Sequence, residues 1–404
     1  KMIGALGKKV LKSTLLAAFS SFLFLIASGY SEVVFWISGT GYLFNAVFIL
    51  LGVIFFILWE EKKRSYYYVL SLLSFIASLF FHELGIIAPI LIIVYKITHD
   101  ESFTIKSLFK RLSYMILFAP IPFYLLVRFA AQSHWLSGDY SYDLLKLPFN
   151  FAGNTVGYLM LTLFGPMVLP LYQGFRGIMR EQILLALVLT PLILFAFFLL
   201  YRNLVRSMGK DERRIMLFGF LFFAVSLLPF LGLGNIASRY LYLASLGLIL
   251  IFVLLVKKLY IYSQSFGRDI ALSGIIVLIA VFVLAHTIQA QQNHVDWNGA
   301  GEKSKKFFLA IDGLYQDNWS NEIAEIHFVN VPIRNGEAWV FPVGLSDAVW
   351  LAFQNKNLKI FQHQTVSEAL GYAGDSSSKR VFVFQEDGSL KELTRLKNFP
   401  QQDE

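Results

Sequence analysis

The chain has 404 residues, of which 56% are hydrophobic, 16% aromatic and only 15% charged, with no cysteine. That composition lies far from a soluble globular domain and reads as a membrane protein; the absence of cysteine excludes disulfides and thiolate metal sites. The net charge of +8 does not point to nucleic acid, because the Lys and Arg residues form short clusters between apolar runs rather than one basic stripe.

The chain opens at Lys1 with "KMIGALGKKVLK", a basic flank without a cleavage-site pattern, which reads as a truncated start rather than a signal peptide. Runs of apolar residues of the length a spanning helix needs follow at 13–30, 41–59, 66–81, 84–97, 114–130, 182–201, 215–233, 239–256 and 269–288. A tenth run, 153–172, carries Gly165, Pro166 and Pro170, so a broken or re-entrant element is expected there. If that element returns to its starting side, the basic connectors at 60–64, 96–111, 202–214 and 257–268 share one side with Lys8, Lys9 and Lys12, which is then the cytoplasm. The expectation is nine spans plus one re-entrant element over residues 1–290, in an inner membrane of a prokaryotic cell, with an external C-terminus.

Residues 291–404 turn polar. "DWNGAGEKSKKFFLAIDGLYQ" predicts an amphipathic helix, "AEIHFVNVP", "AWVFPV", "LKIFQ" and "KRVFVFQ" predict strands, and "LSDAVWLAFQ" predicts a helix capped by Ser346 or Asp347. This is enough chain for one small extracytoplasmic α/β domain, with a frayed tail "NFPQQDE". Trp339 and Trp350 read as core residues rather than as platforms for sugar rings.

Ionisable residues are expensive at membrane depth, and they pair or face a cavity when present. In the expected topology His82 and Glu83 fall at an external turn in the middle of "SFIASLFFHELGIIAPILIIVYKI". Glu32 follows the first run, Arg128 ends the fifth, and Asn235, Arg239 and Tyr240 sit where the seventh run gives way to the eighth. Singly, a Glu or Arg at a helix end reads as an interfacial anchor, Tyr240 and Tyr242 as belt aromatics; together on one face they are suited to binding a phosphate and positioning an acceptor. No Gly-rich phosphate cradle, HExxH zinc site or nucleophile elbow is present in the sequence.

Four stretches resemble the GT-C superfamily of polyprenyl-phosphate-sugar-dependent glycosyltransferases, and within it the protein O-mannosyltransferase group with tetratricopeptide repeats. "ASGYSEVVFWISGT" keeps the group's Glu32, Val34, Trp36, Ser38 and Gly39; "LFFHELGIIAPILIIVY" keeps Glu83, Pro89 and Tyr95; "RYLYLASLG" runs from Arg239 to Gly247; the broken run aligns Tyr158, Leu159, Pro166 and Leu169. The resemblance covers roughly 13–288. It departs at Ala27 and Ser28 in place of His-Pro, at His82 in place of Lys and at Thr40 in place of Arg, and the family's repeats are absent. The family's first external loop, with the acidic residue held to act as base, has no counterpart, which implies either an N-terminally incomplete chain or a degenerate relative.

The resemblance implies a GT-C-like multi-pass helical bundle that transfers a sugar from a polyprenyl-phosphate donor to an extracytoplasmic acceptor, without a further cofactor and with the bilayer, the lipid-linked donor and a protein or glycan acceptor as partners. Under it, Glu83, Glu32 and His82 are the catalytic candidates, and Arg239, Arg128, Asn235 and Tyr240 the substrate-binding ones. A titratable His82 where the family has a cation further implies a phosphate affinity that falls as pH rises through the imidazole pKa. A transporter or flippase for a lipid-linked substrate, and a non-catalytic relative that binds a glycan or protein, are the alternatives.

Overall fold

The computed structural model describes residues 1–104, 106, 111–132, 142–182, 208–315, 323–341, 344–353, 357–374, 376 and 378–393, with scattered positions between 183 and 207. The expected apolar run at 182–201 and the C-terminal tail therefore fall largely or wholly outside the described residues. The chain divides into two compact units, Lys1–Ala290 and Gln291–Glu404.

The first unit is helical. In chain order it contains α1 (Met2–Leu11), α2 (Thr14–Ile26), α3 (Ser31–Phe35), α4 (Thr40–Lys62), α5 (Ser65–Phe81), α6 (Ala88–His99), α7 (Leu112–Phe118), α8 (Pro120–Ala130), α9 (Leu147–Phe164), α10 (Leu169–Glu181), α11 (Lys210–Leu231), α12 (Leu241–Ser263) and the start of α13 (Arg268–Tyr315). Among the described residues, five helical stretches are long and apolar enough to cross a membrane: Ile37–Lys62, Leu112–Ala130, Lys210–Leu231, Ser238–Ser263 and Arg268–Gly313. Three further expected spans are shorter, α2 with 13 residues, α5 with 17 and α6 with 12. The last two are cut by local chemistry. The α5 helix stops at His82, whose ring accepts the Leu84 amide and starts a 3-10 turn over Glu83–Ile87, and Pro89 enters α6 at a position where no amide hydrogen is required.

Helix packing rests on small residues where backbones meet. A Cβ at Gly247 would lie 2.3 Å from the carbonyl oxygen of Gly219, so only glycine at both positions allows α11 and α12 to approach this closely. The core around this crossing is built from fully buried Phe218, Phe222, Leu227, Leu250 and Val253.

Charge sorts to the helix ends. At one end, ion pairs tie the connectors together: Lys9 to Glu61, Lys12 to Asp211 at 3.2 Å, Lys96 to Glu60 at 2.6 Å, Lys210 to Glu101 at 2.6 Å, and Lys258 to Glu212 at 2.5 Å. The described parts of the basic connectors thus share one end with Lys9 and Lys12. The opposite end carries Ser28, Glu32, His82, Glu83, Arg128 and Arg239.

The broken run is broken at Gly165, which takes φ +75° ahead of a 3-10 turn over Pro166–Val168. Its first half begins earlier than 153, at Leu147. Near the start of α9, Asn150 donates to the Gly232 carbonyl, and near its finish Leu161 lies against Gly29 while Gln289 donates to the Phe164 carbonyl at 2.7 Å. Residues 232 and 29 both belong to the second end. The α9 helix, about 27 Å long at 1.5 Å per residue, therefore lies across the ends of the other helices rather than between them. The α10 helix runs back antiparallel to it, with Tyr172 against Gly153 and Gly157 and Arg176 against Asn150 and Asn154.

The second unit holds a four-stranded sheet in the order β4-β1-β5-β6 and a short hairpin β2-β3. The strands are β1 (Glu325–Val329), β2 (Arg334–Asn335), β3 (Ala338–Trp339), β4 (Lys359–His363), β5 (Lys379–Phe384) and β6 (Leu390–Glu392), with α14 (Leu345–Phe353) and α15 (Val366–Ala373) between them. β1 pairs parallel with β4 and β5, with Ile326 opposite Ile360 and Arg380. Phe307, Ile326, Phe328, Phe382 and Phe384 fill one face of the sheet, and Val329, Val381, Val383, Ala369 and Ala373 the other.

Four expectations for this unit need correction. The amphipathic helix at 296–316 is no separate element; it continues α13, because the intervening "TIQAQQNH" contains no Gly or Pro and is made of residues a helix accommodates. Among its described residues, 338–341, "AWVFPV" contributes the two residues of β3. The α14 helix starts at Leu345, so Ser346 and Asp347 lie inside its first turn instead of capping it. Trp350 is 42% exposed: Leu345 and Val349 take the core positions of α14, and Trp350, one residue further round the helix, turns outward. Trp339 is half-buried, with the Arg334 guanidinium 3.4 Å from its ring centroid.

Candidate functional site

Two ion pairs gather at the second end of the helical unit. In the first, Glu32 of α3 meets Arg239, which opens the chain into α12 through a 3-10 turn over Ser238–Tyr240. Arg239 Nη1 lies 2.5 Å from Glu32 Oε1, and Glu32 Oε2 accepts from both the Arg239 amide and the Ser238 hydroxyl at 3.2 Å. Glu32 and Arg239 are 7% and 8% exposed, so each charge is neutralised by the other and neither carboxylate oxygen is without a donor. The guanidinium also faces the rings of Trp36 and Tyr240 at 5.5 and 4.9 Å, and its Nη2 donates to the Tyr240 hydroxyl at 3.3 Å.

The second pair joins Glu83, at the head of the 3-10 turn after α5, to Arg128 at the end of α8. Arg128 Nη1 donates to Glu83 Oε2 at 2.9 Å and to the Tyr124 hydroxyl at 3.1 Å. Here the carboxylate is open, with the Glu83 side chain 51% exposed. Burial pushes its carboxyl up, but His82, once the imidazole is protonated, and the hydrogen bond and charge of Arg128 outweigh that and hold it below the usual range.

His82 and Tyr42 bridge the pairs. The His82 ring packs at a tilt against Tyr42 with centroids 4.0 Å apart, and Tyr42 lies 5.8 Å from Tyr240, which stacks flat on Phe230 at 3.9 Å. The charges acting on His82 are those of Glu83, Arg128 and Arg239. Asn45 fixes the backbone beneath it by donating to the carbonyls of Ser78 and His82 at 2.8 and 2.9 Å, each of which also accepts one backbone amide, from His82 and Gly85 respectively. Burial lowers the imidazole pKa below its ordinary value, with Glu83 opposing. His82 is therefore neutral at neutral pH, and because its Nδ1 accepts the Leu84 amide, its proton sits on Nε2. It presents a donor, and any pH-dependent loss of cationic character lies on the acid side of pH 6.5.

The structure thus brings together Glu32, Glu83, His82, Arg128, Arg239 and Tyr240. It leaves Asn235 outside: that residue is exposed in the 232–237 loop and makes no hydrogen bond with the described residues. The loop is held instead by asparagines that the sequence reading passed over. Asn154 donates to the carbonyls of Leu231 and Leu233 at 3.0 and 2.8 Å, Asn150 to that of Gly232 at 3.1 Å, and Arg176 donates to both side-chain oxygens. The signal for them was available, since two Asn four residues apart in an apolar run mark one polar face of a helix.

Chemically the cluster is a mixed-charge surface in which two carboxylates offset two guanidiniums. Glu32 acts as a positioning residue, since both its oxygens are engaged. Glu83 is the carboxylate open to a solute. In the second unit, His327 and His363 approach at 2.9 Å between Nδ1 and Nε2, but among the described residues no group of three or more His, Asp or Glu side chains is arranged to hold a metal ion. No family model, curated protein or solved structure matches the chain.

Proposed function

We propose that the chain is a multi-pass membrane protein that faces its Glu83–Arg128 and Glu32–Arg239 end outward and transfers a sugar from a polyprenyl-phosphate donor to an external acceptor, in the manner of the GT-C superfamily it resembles. The ion-paired end, rich in Lys and Arg, then lies on the cytoplasmic side, and the second unit on the outside. The observation that carries this reading is the meeting of both carboxylates and both arginines around His82 and Tyr42, at the end of helices apolar enough to span a bilayer.

In such a transfer an acceptor hydroxyl gives up its proton as its oxygen attacks the anomeric carbon, and the phosphate leaves with the bonding electrons. Glu83 is the accessible carboxylate for the proton, held ionised by Arg128. The Nε2 hydrogen of His82 and the guanidinium of Arg128 are the donors nearest to receive the leaving phosphate's charge. Arg239, fixed by Glu32, shapes the floor beneath Tyr42 and Tyr240.

The test is sugar release from a panel of polyprenyl-phosphate sugars by the protein reconstituted in liposomes. The expected result is turnover that Glu83→Gln lowers on the order of 100-fold, with unchanged thermal stability. Turnover that Glu83→Gln leaves intact refutes the assignment of the base, and absence of turnover with every donor refutes the activity. A non-catalytic relative is the second reading, favoured by the cancellation of both arginines by carboxylates, which leaves the cluster without net positive charge toward a phosphate.

A further inference from the structure

Among the described side chains of the cluster end, three cations are matched by carboxylates: Arg239 by Glu32, Arg128 by Glu83, and Lys146 by Asp143 at 2.7 Å. Arg176 of α10 differs. Its guanidinium is oriented by neutral acceptors, Nη1 by the Asn154 side-chain oxygen at 3.0 Å and Nη2 by that of Asn150 at 2.9 Å, and no carboxylate of the described residues lies within salt-bridge distance. Tyr172 packs beside it, one turn back on the same helix. Two amide oxygens fix the plane of the guanidinium without cancelling its charge, and Arg176 is only half-buried.

The helix that carries it has a second property. Met167, Leu171, Phe175 and Ile178 are 72%, 71%, 44% and 50% exposed, and their spacing of four, four and three places them in one stripe along α10 and the turn before it. The α9–α10 hairpin lies across the helix ends, so this stripe runs along the end of the bundle and not along its flank. Arg176 lies about 100–160° round the helix from this stripe, and an apolar stripe on one face with a cation on the polar face is the arrangement of a helix seated in the headgroup region of a bilayer.

We propose that Arg176 is a binding site for the phosphate of an anionic membrane phospholipid, whose acyl chains cover the Met167–Leu171–Phe175–Ile178 stripe. A guanidinium held in plane offers paired N–H donors to phosphate oxygens, a geometry that a lysine does not reproduce. The site is independent of the transfer reaction; it rests on the reading of the apolar helices as membrane spans, and detergent-dependent extraction of the protein from membranes tests that premise separately.

The experiment is native mass spectrometry of the full chain in mixed micelles of phosphatidylglycerol and phosphatidylcholine, with thermal midpoints measured alongside. Wild-type protein is expected to retain phosphatidylglycerol selectively. Arg176→Gln, which keeps the length and hydrogen-bonding reach of the side chain, is expected to lose that selectivity on the order of tenfold, the weight of a charged hydrogen-bonded contact. Arg176→Lys is expected to fall between the two, and Lys146→Gln, the removal of a carboxylate-paired cation at the same end, to bind as wild type. The proposal is overturned if wild type shows no preference for phosphatidylglycerol, if Arg176→Gln with an unshifted thermal midpoint binds as wild type, or if Lys146→Gln loses as much as Arg176→Gln. It is also overturned if millimolar inorganic phosphate displaces the lipid completely, since the site then reads phosphate alone.

Discussion

Replacing Glu32 by alanine separates a buried ion pair from an exposed one within the same cluster. Removing the carboxylate leaves the Arg239 guanidinium, 8% exposed, without its counter-ion, and leaves the Arg239 amide and the Ser238 hydroxyl without their acceptor. Breaking a buried pair costs about 3–5 kcal/mol and an unsatisfied buried amide about 1–3 kcal/mol, so a combined loss of about 4–8 kcal/mol is expected. For a unit of this size that corresponds to a fall in thermal midpoint of roughly 10–30 °C, measured in one detergent at one scan rate. Glu83→Ala, which breaks a pair whose carboxylate is half exposed, is expected to change stability by no more than about 1 kcal/mol. The double replacement Glu32→Gln with Arg239→Gln removes both charges and is expected to melt above Glu32→Ala, because no uncompensated charge remains buried. A midpoint for Glu32→Ala within 2 °C of wild type (roughly one kcal/mol or less), or a double variant no more stable than the single one, would refute the assignment of Glu32 as the counter-ion that permits Arg239 to be buried.

Two further expectations follow from the same geometry. His82 has a folded-state pKa below its ordinary value, so its contribution to stability is complete above pH 6.5 and is lost as pH falls from there through the folded pKa; the fall in thermal midpoint between pH 7.5 and pH 5 is expected to be smaller in His82→Gln than in wild type, and an equal fall counts against a half-buried neutral imidazole. Gly247→Ala adds a Cβ that would sit 2.3 Å from the Gly219 carbonyl oxygen and forces α11 and α12 apart, with an expected loss of about 1–3 kcal/mol that outweighs the gain of about 1 kcal/mol in helix propensity; a raised thermal midpoint would show that the crossing tolerates the methyl group.

Much of the helical unit was legible because it is written locally. An apolar run announces a helix within a few turns, Gly165 with Pro166 announces its break, and Lys and Arg mark the connectors that ion pairs such as Lys12–Asp211 and Lys96–Glu60 then hold at one end. The identities of Glu32, His82, Glu83, Arg128 and Arg239 were equally plain, since each is an ionisable residue at the end of an apolar run. Helix ends were less legible: α13 passes through a change of composition at residue 290 that nothing in the backbone chemistry obliges it to notice, and α5 stops at a histidine that caps the next turn with its own ring.

Partner choice lay beyond the sequence altogether. Glu32 and Arg239 are 207 residues apart, and either carboxylate of the cluster has the same chemistry toward either arginine; only the packing of α3 against the start of α12 decides that one pair is buried and the other open. The same packing turns Asn235 out to the surface and brings Asn150, Asn154 and Arg176 against the neighbouring loop, because α9 and α10 fold flat across the helix ends. The sequence by itself determined which residues are too polar for an apolar setting. Which of them neutralise one another, and which keep their charge for another molecule, is a property of distances between segments that are remote along the chain, and those distances exist only once the helices are packed.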